Sequence, residues 1–452
     1  MNLTVIGSGL VGTITAATIS SKTGYNVFVF DRDIVRIRYW NSKNFPIFEP
    51  QLDSLIDSCH SLTFTTDIDS IRNADIVVLA VDTPIEQSTQ SISLRNLKDA
   101  CMLIAQNSNT DKIIVEKSTV PVNTAYTIKE LLSSNTRCKF QVLSNPEFLS
   151  QGTAVVDCLY PDRILIGCDN TEKGLQAQKI LADIYACWVP RDKILTQRLW
   201  SAELSKLASN AFLAQRISSL NSLSAVCEAT GANIEEVSES IGSDKRIGLH
   251  YLRVSGSSNL KERSLNVSAV FRFWRLLDLL NLVYLCRSCN IPEVANYWMQ
   301  VIEMNNYQIN RFSKRVIETL KCYETPKVSV LGLAYKKDTG DTRMSPSIKV
   351  IKEVLETNSI KASVTVYDPK VTPIQITNEL DDKVTVAHSI IEATKGAHMI
   401  LILTNWDEFY TTLKWIDVYQ EMEKPAWIFN GHLGLKIEEL RDIGFNVYQI
   451  GY

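Results

Sequence analysis

Gly7, Gly9 and Gly12 stand as Gly-x-Gly-x-x-Gly directly after the apolar run Leu3-Thr4-Val5-Ile6. Glycine at the first place permits a tight turn. At the second it lets backbone approach a pyrophosphate, and at the third it lets a helix lie against a strand. The helix opening there offers free N–H groups and the positive end of its dipole to phosphate oxygens. Nineteen residues past Gly12, Asp31 closes the run Asn26-Val27-Phe28-Val29-Phe30. A carboxylate at that place takes up a ribose 2′-hydroxyl and favours NAD over NADP. Arg36 follows and is of the type that accepts a 2′-phosphate, but an acid at the strand end decides against it. A second group lies in the stretch from Glu203 to Leu223, where Lys206 and Asn210 stand four apart and so share a helical face. Beside Leu204, Leu207 and Ala208, the Lys206 amine either snorkels to water or sits partly desolvated where it can exchange protons. Spacing alone favours the first.

The elements that must hold these groups alternate between strand and helix. Ala74–Val81 reads as a buried strand ending in Asp82-Thr83-Pro84, Lys112–Glu116 as one ending in Lys117-Ser118-Thr119, and Gln141–Ser144 as one running into Asn145-Pro146-Glu147-Phe148. In open α/β sheets ligands bind outside the carboxyl ends of the strands, so these polar tips face a cofactor. From about Leu199 to Trp298 helical periodicity takes over, with Leu204, Leu207, Ala208, Ala211, Ala214 and Ser218 as one expected buried stripe. After about Lys321 the first grammar returns: Val328–Ala334 echoes the first strand and turn, Val364–Asp368 the strand ending in an acid, and Gly396–Asn405 the segment before Thr83. The expected fold is α/β, with two Rossmann-like doubly wound parallel sheets joined by a central helical block and boundaries at 1–198, 199–320 and 321–452. Two such sheets suit one nucleotide each, hence hydride transfer between NAD and a nucleotide-linked substrate.

Composition limits the alternatives. The chain has 452 residues, 45% apolar and 21% charged, with a formal net charge of −3. Nothing in that balance suggests a nucleic-acid footprint, a polybasic membrane patch or a disordered chain. No run of about eighteen apolar residues spans a bilayer and no targeting signal opens the chain, so a cytoplasmic location is expected. Ten cysteines are scattered without framework spacing and read as mostly reduced, buried thiols. Cys286 and Cys289 form a CxxC, read as two helix residues, and no metal site is expected.

Four segments carry a resemblance. Glu116-Lys117-Ser118-Thr119-Val120-Pro121-Val122, Leu143–Leu149, Glu203–Ala208 with Asn210–Ser219, and Ala334–Arg343 resemble the UDP-glucose 6-dehydrogenases, of the animal type, over nearly the whole chain. The resemblance implies oxidation of UDP-glucose to UDP-glucuronate with reduction of two NAD, and homo-oligomers formed through the central helices. It implies that Gly7, Ser8, Gly9, Leu10, Val11, Gly12, Asp31, Arg36, Val81, Thr83, Ser118, Thr119, Gln151 and Arg343 hold NAD. It gives Thr119, Glu147, Lys206 and Asp278 catalytic parts, and places Glu147, Phe148, Leu149, Lys206, Asn210, Arg246, Tyr335 and Lys336 about the UDP-sugar. Oxidising an alcohol calls for a base as hydride leaves, which suits a buried lysine.

The sequence departs from the family at one segment. Members carry Gly-Phe-Gly-Gly-Ser-Cys-Phe-Gln-Lys-Asp before a Leu-Asn-Leu-Val-Tyr-Leu-Cys stretch. Here Leu280–Cys286 is intact, Asp278 keeps its place, and Trp274 stands where the nucleophilic cysteine would be. The segment 253–277 is an atypical insert. One permitted coding of Arg272–Leu277, CGG TTT TGG AGG CTC CTG, reads Gly-Phe-Gly-Gly-Ser in the next frame, so the lost loop is expected to survive in the gene out of frame, with a few codons before Asp278 missing. Gln151 and His432 likewise replace a family Glu and Arg, and the Gln87–Ser93 loop lacks the usual glycines. The alternatives are a catalytically silent chain that binds NAD and UDP-sugar and, last, a dehydrogenase of another nucleotide sugar.

Overall fold

A computed structural model describes residues 1–84, 92–134, 137–248, 273–343, 345–432 and 434–452, with only the backbone path given over 273–277. Most of the 253–277 insert, most of the Gln87–Ser93 loop and Leu433 lie outside the described residues, as does the side chain of Trp274. The chain divides into two compact units, Met1–Ser209 with Leu280–Asn290, and Asn210–Leu279 with Ile291–Tyr452.

The first unit is built on eight strands: β1 (Asn2–Ile6), β2 (Asn26–Phe30), β3 (Leu62–Thr65), β4 (Ile76–Leu79), β5 (Lys112–Glu116), β6 (Phe140–Ser144), β7 (Ile164–Cys168) and β8 (Ile194–Arg198). Their order is β3-β2-β1-β4-β5-β6-β7-β8. Side chains alternate between faces along each strand. Val5, Val29, Val78 and Val115 pack on one face against Ile14 and Ala17 of helix Leu10–Thr23. Ile6, Leu79 and Ile114 pack on the other against Leu97, Ile104 and Ile128. Burial on both faces is what makes these strands continuous Val/Ile runs. The parallel α/β sheet expected from the sequence is present, with one local exception: β6 meets β7 antiparallel at Ser144 and Gly167, and β7 pairs β8 in parallel.

The second unit carries β9 (Lys327–Leu331), β10 (Ser363–Tyr367), β11 (Thr385–Val386), β12 (Met399–Ile402), β13 (Trp427–Asn430) and β14 (Asn446–Gln449), in the order β11-β10-β9-β12-β13-β14. Every neighbouring pair is parallel. Both sheets thus have the β1 or β9 strand near the centre, with the chain winding outward to either side.

One helix, Leu199–Thr230, runs through both units. Leu207, Ala211, Ala214 and Ser218 are buried as the periodicity predicts, but Leu204 is 41% exposed. Glu203 and Lys206 are buried instead, because the buried stripe is rotated toward them. Cys286 lies in helix Phe273–Ser288 and Cys289 just past its end, and none of the ten cysteines is in a disulfide. Among the described residues no helix is long and apolar enough to cross a membrane, and no cluster of side chains could hold a metal ion.

Candidate active site

The glycine turn after β1 is sterically obligatory. Gly7 has φ +111°, and a Cβ there would lie 2.4 Å from the Ala80 carbonyl oxygen; a Cβ at Gly12 would lie 2.0 Å from that of Gly7. Gly9 is different. It caps helix Leu10–Thr23 with no side-chain partner, and a Cβ on it would meet nothing closer than Asp82 Oδ1 at 3.8 Å. The space over Gly9 and the unclaimed first-turn N–H groups of Leu10 and Val11 suit a pyrophosphate.

Asp31 is tied to this turn. Its Oδ2 accepts from Ser8 N at 2.9 Å and Ser8 Oγ at 2.7 Å, and its Oδ1 from Asp33 N at 3.1 Å. Arg36 stands in the next helix, where its buried Nε has no partner among the described residues. An orphaned guanidinium N–H on the helix that follows Asp31 fits an anionic cofactor. The tips of β4 and β5 close the same edge of the sheet: Ser118 Oγ donates to Val81 O at 2.8 Å and Thr83 Oγ1 to Thr119 O at 2.9 Å. Gln151 lies in the turn before helix Ala154–Leu159, where buried Glu49 accepts from Gly152 N and Ala154 N, both at 2.7 Å.

The tip of β6 carries the second cluster. Lys206 Nζ donates to the backbone carbonyl of Glu147 and to its Oε1 at 3.1 Å. The Glu147 Oε2 accepts from Leu149 N at 2.6 Å. The Phe148 ring lies 5.2 Å below the Lys206 ammonium and 4.2 Å from the Arg163 guanidinium. Lys206 is therefore not the snorkelling residue its spacing favours: Glu147, fifty-nine positions away, supplies the counter-charge that lets it stay buried. Beneath the cluster Glu203 accepts from Asn123 N at 2.8 Å and Ala125 N at 2.9 Å. Burial first, and Glu203 second, push the enclosed Glu116 carboxyl well above its ordinary range.

In the second unit Asn210 Nδ2 donates to Asp278 Oδ2, bringing together two residues that the sequence placed sixty-eight positions apart. Arg246 forks onto Asp244 and Arg343 onto Asp341, each with an Nε–H and an Nη2–H on the carboxylate. Tyr335 is buried, and the Lys336 ammonium lies 6.0 Å from its ring centroid.

The glycine turn after β9 only resembles the first. Gly332 has φ +96° and a Cβ there would strike Thr404 at 2.4 Å. Here Asp368 Oδ2 takes the Leu333 and Ala334 N–H groups at 2.8 and 3.0 Å, and the next helix does not begin until Pro346. Asp31 takes the Ser8 N–H in the same manner, so what separates the two turns is the helix: it opens at Leu10 directly after the first turn, whereas none opens at the second. The sequence marks Lys117 and Asn145 only as polar strand tips and gives Glu203 no part; a polar or charged residue at a strand tip or in an apolar stripe is the signal for them.

Comparison with known proteins matches three successive segments of the chain. Residues 1–189 match the NAD binding domain of the UDP-glucose/GDP-mannose dehydrogenase family, residues 200–259 its central domain, and residues 329–435 its UDP binding domain. UDP-glucose 6-dehydrogenase 3 of Arabidopsis thaliana is 45% identical over 479 residues, covering 99% of this chain and 96% of that protein. UDP-glucose 6-dehydrogenase 1 of Glycine max is 44% identical with the same coverage. Among solved structures, a UDP-glucose dehydrogenase from Pyrobaculum islandicum superposes with a TM-score of 0.80 at 26% identity, covering 98% of each chain. On the strength of near-complete coverage by relatives this similar, the chain belongs to the UDP-glucose/GDP-mannose dehydrogenase family.

Proposed function

We propose that the chain oxidises the C6 alcohol of UDP-glucose with NAD, the reaction whose full course gives UDP-glucuronate through two hydride transfers. The observation that carries the reading is the buried Lys206–Glu147 pair at the tip of β6, in the same sheet as the open glycine turn. The match to an NAD binding domain and a UDP binding domain, and relatives that are UDP-glucose 6-dehydrogenases, support it. Bound NAD supplies the hydride acceptor. The backbone over Gly9, with Asp31 and Arg36, holds it.

Lys206 Nζ is the group placed to manage the alcohol proton. Its hydrogen bonds to the Glu147 carbonyl and carboxylate fix the direction of its remaining N–H, and Glu147 stabilises the ammonium when a proton is held there. Thr119 lines the β5 tip. Asn210, Arg246, Tyr335 and Lys336 serve the sugar nucleotide in this reading, Asp278 the chemistry beside Asn210, and Gln151 and Arg343 the cofactor. The three-part division at 1–198, 199–320 and 321–452 is kept as the functional one, since each family domain falls within one part. A cytoplasmic, homo-oligomeric enzyme completes the proposal.

The test is direct. Purified chain mixed with NAD and UDP-glucose is expected to form NADH and to release heat with either nucleotide alone. No heat with either would end the reading.

A further inference from the structure

Lys117 is a cation in the wrong place for an ordinary lysine. It follows β5 directly, is buried, and makes no ion pair among the described residues. Lysine heads normally reach water, and an ammonium enclosed without a counter-ion is among the costliest groups a fold can hold. Its two hydrogen bonds go to neutral oxygens, Asn145 Oδ1 and Tyr185 Oη, both at 3.3 Å. Packing alone gives no reason to enclose a lysine whose head meets only neutral oxygens.

The oxygens it touches belong to one short path. Tyr185, the last residue of helix Glu172–Tyr185, donates its hydroxyl to Asn145 Oδ1 at 2.6 Å. Asn145 Nδ2 donates to Leu165 O at 2.7 Å, and Asn145 N to Glu116 O at 2.8 Å. Every polar atom of the Asn145 side chain is thereby committed, on a residue 1% exposed. Asn145 is followed by Pro146, whose ring fixes φ, and then by Glu147. Whatever holds Asn145 therefore holds the start of the turn that presents the Glu147 carboxylate to Lys206.

Resting on the dehydrogenase reading above, we propose that Lys117 is a positioning residue. Through Tyr185 and Asn145 it locks the Asn145-Pro146-Glu147 turn and so sets where the Glu147 carboxylate meets Lys206. It touches no reacting atom.

The variants Lys117→Met and Tyr185→Phe test this in the full chain. Lys117→Met removes a charge that has no counter-ion, so its Tm is expected at or above the parent's. Its kcat for NADH formation is nevertheless expected to fall roughly 10- to 100-fold, since small misplacements of a reacting group cost that much, while the KM for NAD stays put. In a Glu147→Gln background the same change should add almost nothing, because both act through one group. Crystal structures should show the Asn145 amide turned and Glu147 Oε1 out of reach of Lys206. An unchanged kcat, multiplying effects, or Asn145 and Glu147 unmoved would each overturn the proposal. Should Lys117→Met not fold, Tyr185→Phe keeps the charge and reads the same path. If the parent itself makes no NADH, the function proposed above has failed, and the crystal comparison still decides the positioning role.

Discussion

The Lys206 ammonium lies 3.1 Å from Glu147 Oε1, with the two side chains only 9% and 12% exposed. A pair this enclosed gains little net stability from being formed, yet removing one member leaves an uncompensated buried charge. Lys206→Ala is therefore expected to cost about 3–5 kcal/mol of stability, a fall readable by urea unfolding. It should also lower NADH formation by roughly 10²- to 10⁴-fold. Glu147→Gln keeps the volume and a hydrogen-bond acceptor, so it should lose less stability than Lys206→Ala. NAD binding by calorimetry should survive both; its loss would show that the pair belongs to the cofactor site instead.

Gly9 and Gly12 should respond in opposite ways to the same substitution. A Cβ at Gly12 would lie 2.0 Å from backbone, so Gly12→Ala forces helix Leu10–Thr23 off the sheet and should lower Tm sharply. Gly9 has φ −75° and room for a methyl group. Gly9→Ala should therefore fold with nearly the parent's Tm while NAD affinity drops about tenfold or more, because the methyl group occupies the phosphate's approach. Equal loss of stability in the two variants would contradict the geometry.

The first glycine turn was legible in the sequence because its requirement is local: three glycines within six residues answer clashes made by their own neighbours. Lys206 was not, since the acid that lets it stay buried arrives from the tip of another strand. Spacing could show that Lys206 and Asn210 share a face, but not which face is covered, and Leu204 was misplaced for the same reason. The second turn was misleading in a different way. Gly332 and Asp368 echo Gly7 and Asp31, down to the carboxylate that accepts from the turn, yet no helix opens there until Pro346. Strand direction at β7 depends on the connection after β6, which carries no periodic signature. Lys117 read as one more polar strand tip.

His432 makes the fold sensitive to acid. Burial pushes its imidazole down to about 4 from an ordinary 6.5, so the folded chain holds it neutral while the unfolded chain begins to take up a proton near pH 6.5. A depressed histidine therefore leaves stability intact above about 6.5 and drains it as pH falls toward 4. Between pH 7 and pH 5 the loss from this residue is about 2 kcal/mol. His432→Gln should flatten that part of the stability curve in urea titrations at the two pH values, whatever it does to stability at pH 7. An unchanged slope would mean that the imidazole reaches water.

The number of NADH formed per sugar separates the two halves of the reaction. Hydride can leave an alcohol once its proton is taken, but an aldehyde must first be attacked by a nucleophile to give an adduct with hydride to donate. A thiol serves only as thiolate, hence where its surroundings favour ionisation. In this chain burial pushes Cys59, Cys101, Cys158, Cys168, Cys227 and Cys286 the other way, and Trp274 stands where the resemblance would put a cysteine. With excess NAD, the chain as it stands is expected to form one NADH per UDP-glucose and to stop at the aldehyde, which a hydrazine reagent would trap. Two NADH with accumulating glucuronate would refute this. The gene supplies an independent reading: codons for Arg272–Leu277 spelling CGGTTTTGGAGGCTCCTG would place Gly-Phe-Gly-Gly-Ser and the first two letters of a cysteine codon in the neighbouring frame. Because Asp278 follows at once, the rest of that codon and a few more would have to be missing from the gene; a chain carrying Gly-Phe-Gly-Gly-Ser-Cys-Phe-Gln-Lys directly before Asp278 should then yield the second NADH.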